Sequence, residues 1–482
     1  MKPRLARDES RAPMRSALRK AVLWPTLAAL MLACCLAAFS QTPAAPAAPA
    51  APPKVDTGDT AWMLVSTAFV MLMTPGLALF YGGMVRAKNV LNMLMQSFIA
   101  VAIVTVVWVV AGYSLAFAKG NPFVGGLSFI GLNGVGQEPN AFYGATIPHQ
   151  VFMMYQMMFA IITPALISGA IADRMKFSTY VVFITLWSLI VYSPLAHMVW
   201  GEGGFLRDLG ALDFAGGTVV HISSGVSALV LCIVLGKRTT HPTEDMRPHN
   251  LPMTLIGTGL LWFGWFGFNA GSAIASGGLS GSAFMVTHIA AAVAGLTWVL
   301  IEWFAYKRPT ALGLATGAVA GLVAITPASG FVGPMAAIVI GAGVSCISFF
   351  AIKLKEKFHY DDSLDVFGVH GMGGMWGALA TGLFASTAIN AAGANGLFFG
   401  NPGLVAKQLA GIGIAVGWAA LMTFVLAHIL KATMGLRVDE ESEELGLDLS
   451  QHGESGYAGP STGSEDEVIP AYAAATPAAA TS

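Results

Sequence analysis

Long apolar stretches, separated by short polar segments, dominate the chain from about Thr60 onward. Most run for about twenty residues, the length that an α-helix needs to cross a hydrocarbon layer of roughly 30 Å. Because lipid offers no partner to unpaired backbone groups, such stretches are predicted to be helical. The predicted fold class is an all-α membrane protein with eleven transmembrane helices, near residues 61–83, 91–117, 150–172, 178–198, 216–236, 251–271, 282–305, 310–326, 332–352, 366–386 and 403–433.

The basic residues of the loops predict the orientation of these spans. Alternate loops hold twelve of them, whereas the intervening loops hold only three, Lys119, Arg207 and Lys407. Since lysine and arginine accumulate in cytoplasmic loops, the mature N-terminus is expected outside and the tail in the cytoplasm. The twelve are Arg86, Lys88, Arg174, Lys176, Lys237, Arg238, Arg247, Lys307, Arg308, Lys353, Lys355 and Lys357.

The two ends of the chain differ from its middle. Residues 1–41 combine a basic start, an apolar run and a small-residue segment, which is typical of a cleaved signal peptide, although an uncleaved anchor is the alternative. Residues 42–58 are predicted to form a disordered spacer rich in proline and alanine. A transmembrane domain is expected over 59–435, followed by a polar, acidic cytoplasmic tail over 436–482, whose end is predicted to be disordered.

The composition excludes several classes of function. The chain is 55% hydrophobic and 11% charged, where a soluble domain carries about a quarter charged residues. Its net charge of -1 gives no electrostatic reason to expect nucleic acid. Because it lacks a nucleophile elbow, a Walker loop and a redox motif, neither enzymatic activity nor a cofactor is expected.

Two similar segments indicate an internal repeat. Residues 220–225 and 369–374 share the pattern Val-His-x-x-x-Gly, and an aspartate precedes each, Asp213 or Asp365. The spans that carry them are five apart, so five-helix repeats would enter the membrane from opposite sides and leave one final helix. Inverted repeats of this kind place a substrate path near the midplane. In a single sequence, chance similarity is the alternative.

The histidines of these segments, His221 and His370, are the strongest functional candidates. Ionisable groups deep in a membrane are costly and mark functional sites, although a lone histidine is often only hydrogen-bonded between helices. Two at equivalent repeat positions are predicted to meet, share one proton and line a pore. Metal ligation is the rival hypothesis, but no further ligands occur at suitable spacing.

Asp213 lies eight residues before His221, roughly 12 Å along a helix. This position is near the outer end of the span, where a carboxylate accepts backbone N–H groups as a helix cap, and capping is the favoured interpretation. An anion at that mouth would also favour the arrival of a cation.

Aromatic residues cluster in residues 262–272, toward the outer end of the sixth span, and Trp200 is predicted at the same side. Such residues are often only interfacial anchors. Their ring faces also attract a desolvated cation, by about 2 kcal/mol or more. With a hydroxyl such as that of Ser272 as acceptor, they suit a small ammonium-like ion.

Three segments, residues 213–222, 265–272 and 365–371, closely resemble motifs of the ammonium transporter family (Amt/Mep/Rh), in its bacterial Amt branch. The resemblance covers about residues 59–457. It implies a homotrimer in the bacterial inner membrane, with one pore per subunit. It also implies that the tail segment 446–457 is regulated by a PII-type signalling protein.

The resemblance assigns roles at matching positions. Trp200, Phe159 and Ser272 match an outer recruitment site. Phe159 and Phe268 match gate rings, Trp265 a pore wall, His221 and His370 the twin histidines, and Asp213 the aspartate required for activity. The chain departs from the family at an extra residue near Glu202 and at Tyr155, where many members have Phe and a hydroxyl is expected to be tolerated.

The expected function is therefore ammonium transport. The cation would bind at the outer aromatic site and lose a proton, because a dry channel penalises a bare ion. Ammonia would then cross the pore while the histidines relay the proton. The rivals are an electroneutral channel for ammonia or carbon dioxide, and an ammonium sensor that signals through the tail.

Overall fold

The computed structural model describes residues 53–239, 241 and 246–457. The predicted signal peptide, most of the spacer and the end of the tail lie outside these residues. Within them the chain is mainly helical.

In the described residues, eleven helical segments of 15 residues or more follow one another in the order that the sequence predicts, and the shorter helices Phe205–Leu209 and Glu440–Leu445 lie outside this series. They are α1 Thr57–Met84; α2 Val90–Val107 with Trp108–Gly112 and Tyr113–Phe117; α3 His149–Ile167; α4 Phe177–Trp187 with Ser188–Tyr192 and Ser193–Trp200; α5 Gly217–Ile222 with Ser223–Leu235; α6 Leu251–Ala270; α7 Gly278–Tyr306; α8 Ala311–Ile325; α9 Pro334–Phe358; α10 Phe367–Gly371 with Met372–Phe384; and α11 Gly403–Thr433.

Nine helices in the described part of the chain are long and apolar enough to cross a membrane. The two remaining segments, α8 and α10, are shorter and coincide with the predicted eighth and tenth spans. The multi-pass, helical character of the prediction is thus confirmed, while crossing by α8 and α10 stays a prediction.

Small residues bring the two halves of the fold together. Helix α1 packs most extensively against α6, five helices later in the chain. A Cβ on Gly257 would lie 2.3 Å from the backbone nitrogen of Phe80, and one on Gly83 would lie 2.5 Å from the carbonyl oxygen of Asn250. Glycine is therefore required where the two backbones touch, as expected for close helix packing in membranes.

One end of the bundle, here called the hairpin face, carries a short antiparallel hairpin, β1 Pro139–Asn140 and β2 Gly144–Pro148. The backbone N–H groups of Lys54 and Asp56 donate to the carbonyls of Ala145 and Thr146, at 2.9 and 2.8 Å. Asp56 also caps α1. The predicted disordered spacer is therefore wrong for residues 54–58, because these backbone hydrogen bonds fix them to the hairpin.

The opposite end, here called the tail face, is covered by residues 434–457. The Asp448 carboxylate accepts the N–H groups of Leu91 and Asn92, at 3.0 and 2.8 Å, and thus caps the first turn of α2. Buried Glu443 accepts hydrogen bonds from the backbone and hydroxyl of Thr239 and pairs with Arg437 at 2.5 Å. The tail is therefore an integral part of this face up to Tyr457.

A buried ion pair holds the tail-face loops together. The Arg238 guanidinium donates to both carboxylate oxygens of Asp361, at 2.9 and 2.8 Å, and to Asp173 at 3.3 Å. Burial alone would raise the pKa of Asp361, but hydrogen bonds from Arg238 and the charge of Arg174 hold that pKa well below its ordinary value. The carboxylate is therefore charged and fully compensated.

We predict that Arg238→Met destabilises the protein by about 3–5 kcal/mol, because it leaves Asp361 buried and short of its main partner. The measurement is the thermal unfolding midpoint of the purified protein in detergent. Arg308→Met, at an exposed arginine, is the control. The double variant Arg238→Met with Asp361→Asn should regain part of the stability that Arg238→Met loses. A midpoint equal to that of the control would contradict a structural role for the pair.

Candidate functional site

The two histidines meet at the centre of the bundle. The Nδ1 atoms of His221 and His370 are 3.2 Å apart, and the residues are only 1% and 4% exposed. Each lies in a π-helical turn at the start of its helix, Gly217–Ile222 or Phe367–Gly371. Such wide turns occur frequently at functional sites.

Glycines make this approach possible. A Cβ on Gly225 would lie 2.2 Å from the backbone nitrogen of Gly371, and one on Gly374 would lie 3.0 Å from the Cβ of His221. Any larger side chain at Gly225 would push α5 and α10 apart. The glycine that closes each Val-His-x-x-x-Gly pattern therefore sets the distance between the imidazoles.

The contact between the rings permits one shared proton. Where two Nδ1 atoms face each other, one must carry hydrogen and the other a lone pair. Among the described residues, Nε2 of His221 has no hydrogen-bond partner although it is buried. A buried polar atom without a protein partner can hydrogen-bond an ordered water or a small ligand instead.

Asp213 caps the helix that carries His221. Its carboxylate accepts the N–H groups of Gly216, Gly217 and Thr218 at 2.7, 2.6 and 2.7 Å, as the capping interpretation predicts. The Thr218 hydroxyl also donates to it. The Asp213 carboxylate thus acts as the N-terminal cap of α5.

The counterpart of Asp213 in the second half is Asp362, and the pairing predicted for Asp365 is wrong. The Asp362 carboxylate accepts the N–H groups of Val366 and Phe367, at 3.0 and 2.8 Å. Asp365 instead adopts a left-handed backbone, with φ of 60°, and pairs with Lys355. Burial raises the pKa of Asp362 to about 6, with the Lys355 charge opposing the shift.

Spacing could have identified Asp362, since it precedes His370 by eight residues, as Asp213 precedes His221. The continuous motif from Asp365 to His370 instead favours the aspartate that is nearer to the histidine. The two halves are thus related by the number of residues between the capping aspartate and the histidine, and not by which aspartate is nearest in sequence.

Aromatic rings lead from the histidines toward the hairpin face. The Phe159 and Phe268 rings stack with centroids 4.1 Å apart. Trp265 stacks on His221 at 5.4 Å, and its indole N–H donates to the Thr326 hydroxyl at 2.9 Å. The predicted gate and wall residues thus form one continuous aromatic column above His221.

Trp200 and Ser272 lie at the hairpin-face end of this column. The Trp200 ring stands edge-on to Phe159 at 6.2 Å, and its indole N–H donates to the Asp213 carbonyl at 2.9 Å. The Ser272 hydroxyl contacts the Phe268 carbonyl at 2.9 Å, one turn from the stacked ring. Trp200 therefore contacts one ring of the stacked pair, and Ser272 lies one turn from the other.

Two cavities continue the path. A narrow one of about 10 Å³, room for a single water-sized molecule, lies between Phe268 and the histidines and is otherwise lined by apolar side chains such as Leu261 and Val319. A larger one of about 170 Å³ extends from His370 to the tail face. The lining of the smaller cavity is thus apolar except for the imidazoles and the Trp265 indole.

Comparison with known proteins places this geometry in context. A model of the Ammonium Transporter Family matches residues 61–457. An ammonium transporter of Bacillus subtilis (strain 168) is 54% identical over 401 residues, covering 83% of this chain and 98% of that protein. The crystal structure of Saccharomyces cerevisiae Mep2 superposes with a TM-score of 0.75 at 37% identity, covering 80% of this chain and 88% of that one. A solved Sensor Amt Protein has a TM-score of 0.76 at 29% identity, covering 82% and 98%.

We predict that Gly225→Ala lowers stability by about 1–3 kcal/mol, the cost of overpacking, and separates the two imidazoles. The measurements are the thermal unfolding midpoint and the Nδ1–Nδ1 distance in a crystal structure of the variant. Gly259→Ala is the matched control, because a Cβ there meets nothing within 4 Å. If both variants had the same midpoint and an unchanged histidine pair, the glycine contact would not be what sets the distance.

Proposed function

This chain belongs to the Ammonium Transporter Family, and we propose that it recruits NH4⁺ at an outer aromatic site, deprotonates it and conducts NH3 while His221 and His370 relay the proton. The observation that carries this proposal is the buried imidazole pair at 3.2 Å, placed in an otherwise apolar passage.

The passage favours ammonia over an intact ion. A bare ammonium ion loses its hydration shell there, and an unpaired buried charge costs many kcal/mol. Neutral ammonia is about the size of water and carries no such penalty. The stacked Phe159 and Phe268 rings exclude bulk water from the space above the histidines.

The outer site compensates part of the cost of desolvation. Trp200 and Phe159 offer ring faces or edges to a cation, which is attracted to the face by the ring quadrupole. Ser272 supplies a hydroxyl oxygen as hydrogen-bond acceptor. Asp213 supports the site indirectly, since its carbonyl holds Trp200 and its carboxylate holds the start of α5.

The histidine pair provides a separate route for the proton. Once a proton reaches one imidazole, the Nδ1–Nδ1 hydrogen bond can pass it to the other, and the larger cavity beyond His370 leads to the tail face. Net transfer is then of NH4⁺, so transport carries charge.

The assembly and topology belong to the same proposal. Helices α8 and α10 complete eleven spans, residues 1–41 are a signal peptide, the hairpin face is outside, and the tail binds a PII-type protein in the bacterial cytoplasm. A contact between subunits, which we propose to be that of a homotrimer, is supported by His288, which is exposed midway along α7 with its ring 5.4 Å from that of Trp262. An imidazole exposed at membrane depth is costly, and a neighbouring subunit would cover it.

We predict that His221→Leu or His370→Leu lowers the ammonium-dependent current of reconstituted protein by about a hundred-fold or more, the lower end of what positioned proton transfer contributes. The measurement is charge movement across the proteoliposome membrane after an ammonium pulse, with an equal potassium pulse as the ionic control. His428→Leu is the matched control, because this histidine on α11 is exposed and forms a hydrogen bond and a ring contact with Phe424, one turn away on the same helix. Wild-type current in either pore variant would rule out the relay.

An ammonium sensor is the second candidate. The tail is hydrogen-bonded to the first turns of α2 and α4 and to the loop after α5, and one structural neighbour is described as a sensor. We expect the full-length chain to take up labelled methylammonium, and a variant ending at Leu436 to retain measurable uptake. A full-length protein that binds ammonium but shows no uptake would favour the sensor.

A further inference from the structure

Tyr155 places a buried hydroxyl directly beneath the outer site. The residue is 0% exposed, and its oxygen lies 2.9 and 2.8 Å from the carbonyls of Gly267 and Phe268 and 3.1 Å from the Ser272 hydroxyl. Gly271 makes room for it, since a Cβ there would lie 2.8 Å from the tyrosine oxygen. The C-terminal end of α6 therefore packs closely against this hydroxyl.

The protons of these two hydroxyls can be assigned from the acceptors around them. Tyr155 has one proton and two carbonyl oxygens within 2.9 Å, and carbonyls only accept. If Tyr155 donated to Ser272 instead, both carbonyls would face an oxygen lone pair at close range in a dry environment. The tyrosine proton therefore belongs to a carbonyl, and the tyrosine oxygen faces Ser272 as an acceptor.

The Ser272 proton is then directed inward. Its hydroxyl has two acceptors on the protein side, the Phe268 carbonyl at 2.9 Å and the Tyr155 oxygen at 3.1 Å. Whichever of the two receives the proton, the lone pairs of Ser272 stay unused by the protein. An oxygen in this state can accept a hydrogen bond but has no proton to offer to a ligand.

On the basis of the outer site proposed above, we propose that Tyr155 is a positioning residue that holds Ser272 as an acceptor-only group, so that the outer site selects the protonated form of the substrate. Ammonium has only N–H donors, which match such an acceptor. Ammonia is chiefly an acceptor through its lone pair, and a hydroxyl that cannot donate gives that lone pair no partner.

The hydroxyl can be tested apart from the ring. The Tyr155 ring also packs edge-on against Phe159 at 4.9 Å, and Tyr155→Phe retains that contact. Tyr192→Phe is the matched control: Tyr192 is equally buried, and its hydroxyl has no hydrogen-bond partner in the described part of the chain.

The experiment is a double-mutant cycle on ammonium-dependent currents in reconstituted full-length protein, with Tyr155→Phe, Ser272→Ala and the pair combined. Ser272→Ala is expected to raise the half-saturating ammonium concentration about five-fold, the factor that one hydrogen bond provides. Tyr155→Phe is expected to raise it about two- to five-fold with the maximal current within two-fold of wild type. The combined variant should match Ser272→Ala alone, because the tyrosine acts only through the serine.

The other possible outcomes distinguish a failure of the positioning role of Tyr155 from a failure of the outer site. Additive effects in the combined variant, or a half-saturating concentration in Tyr155→Phe equal to that of Tyr192→Phe, would overturn the positioning role and leave the outer site intact. An unchanged half-saturating concentration in Ser272→Ala would overturn the outer site itself, and this inference with it.

Discussion

The contact between two buried imidazoles is the constraint on which the rest of this structure depends. The Nδ1 atoms of His221 and His370 can approach to 3.2 Å only if α5 and α10, which belong to different halves of the chain, are in contact. Gly225 and Gly371 allow this contact. The approach also requires both helices to begin close to the contact with wide first turns, which Asp213 and Asp362 stabilise by accepting backbone N–H groups. The two capping carboxylates thus support the imidazole contact at the centre of the bundle.

The same constraint explains the aromatic column. An imidazole pair open to bulk water would exchange protons with solvent, so a proton relay needs a dry neighbourhood. Phe159, Phe268 and Trp265 provide it by stacking above His221. In the mechanism that we propose, the outer site and the relay have complementary tasks. The outer site would bind the charged substrate, and the histidine pair would separate its charge from the molecule that crosses the apolar passage.

Much of the fold and the site could be predicted from the sequence, because membrane burial leaves a strong signal in each. The order of the helical segments follows from apolar length, and the meeting of His221 with His370 follows from the repeat. Contacts that depend on local backbone geometry were missed. The positive φ at Asp365 removed it from the capping position that Asp362 fills, and the hydroxyl of Tyr155, expected only to be tolerated, lies against Ser272. The cap that Asp448 supplies to α2 joins residues more than 350 positions apart, which no local pattern reveals.

The most direct test of the central claim is the number of charges that cross the membrane with each nitrogen. Integrated current and labelled nitrogen uptake would be measured together in the same proteoliposomes, with the membrane potential clamped. Separate passage of ammonia and its proton through one subunit predicts one elementary charge per nitrogen atom. Nitrogen uptake without accompanying charge would contradict the account, because it would mean that ammonia passes while the imidazole pair carries no proton.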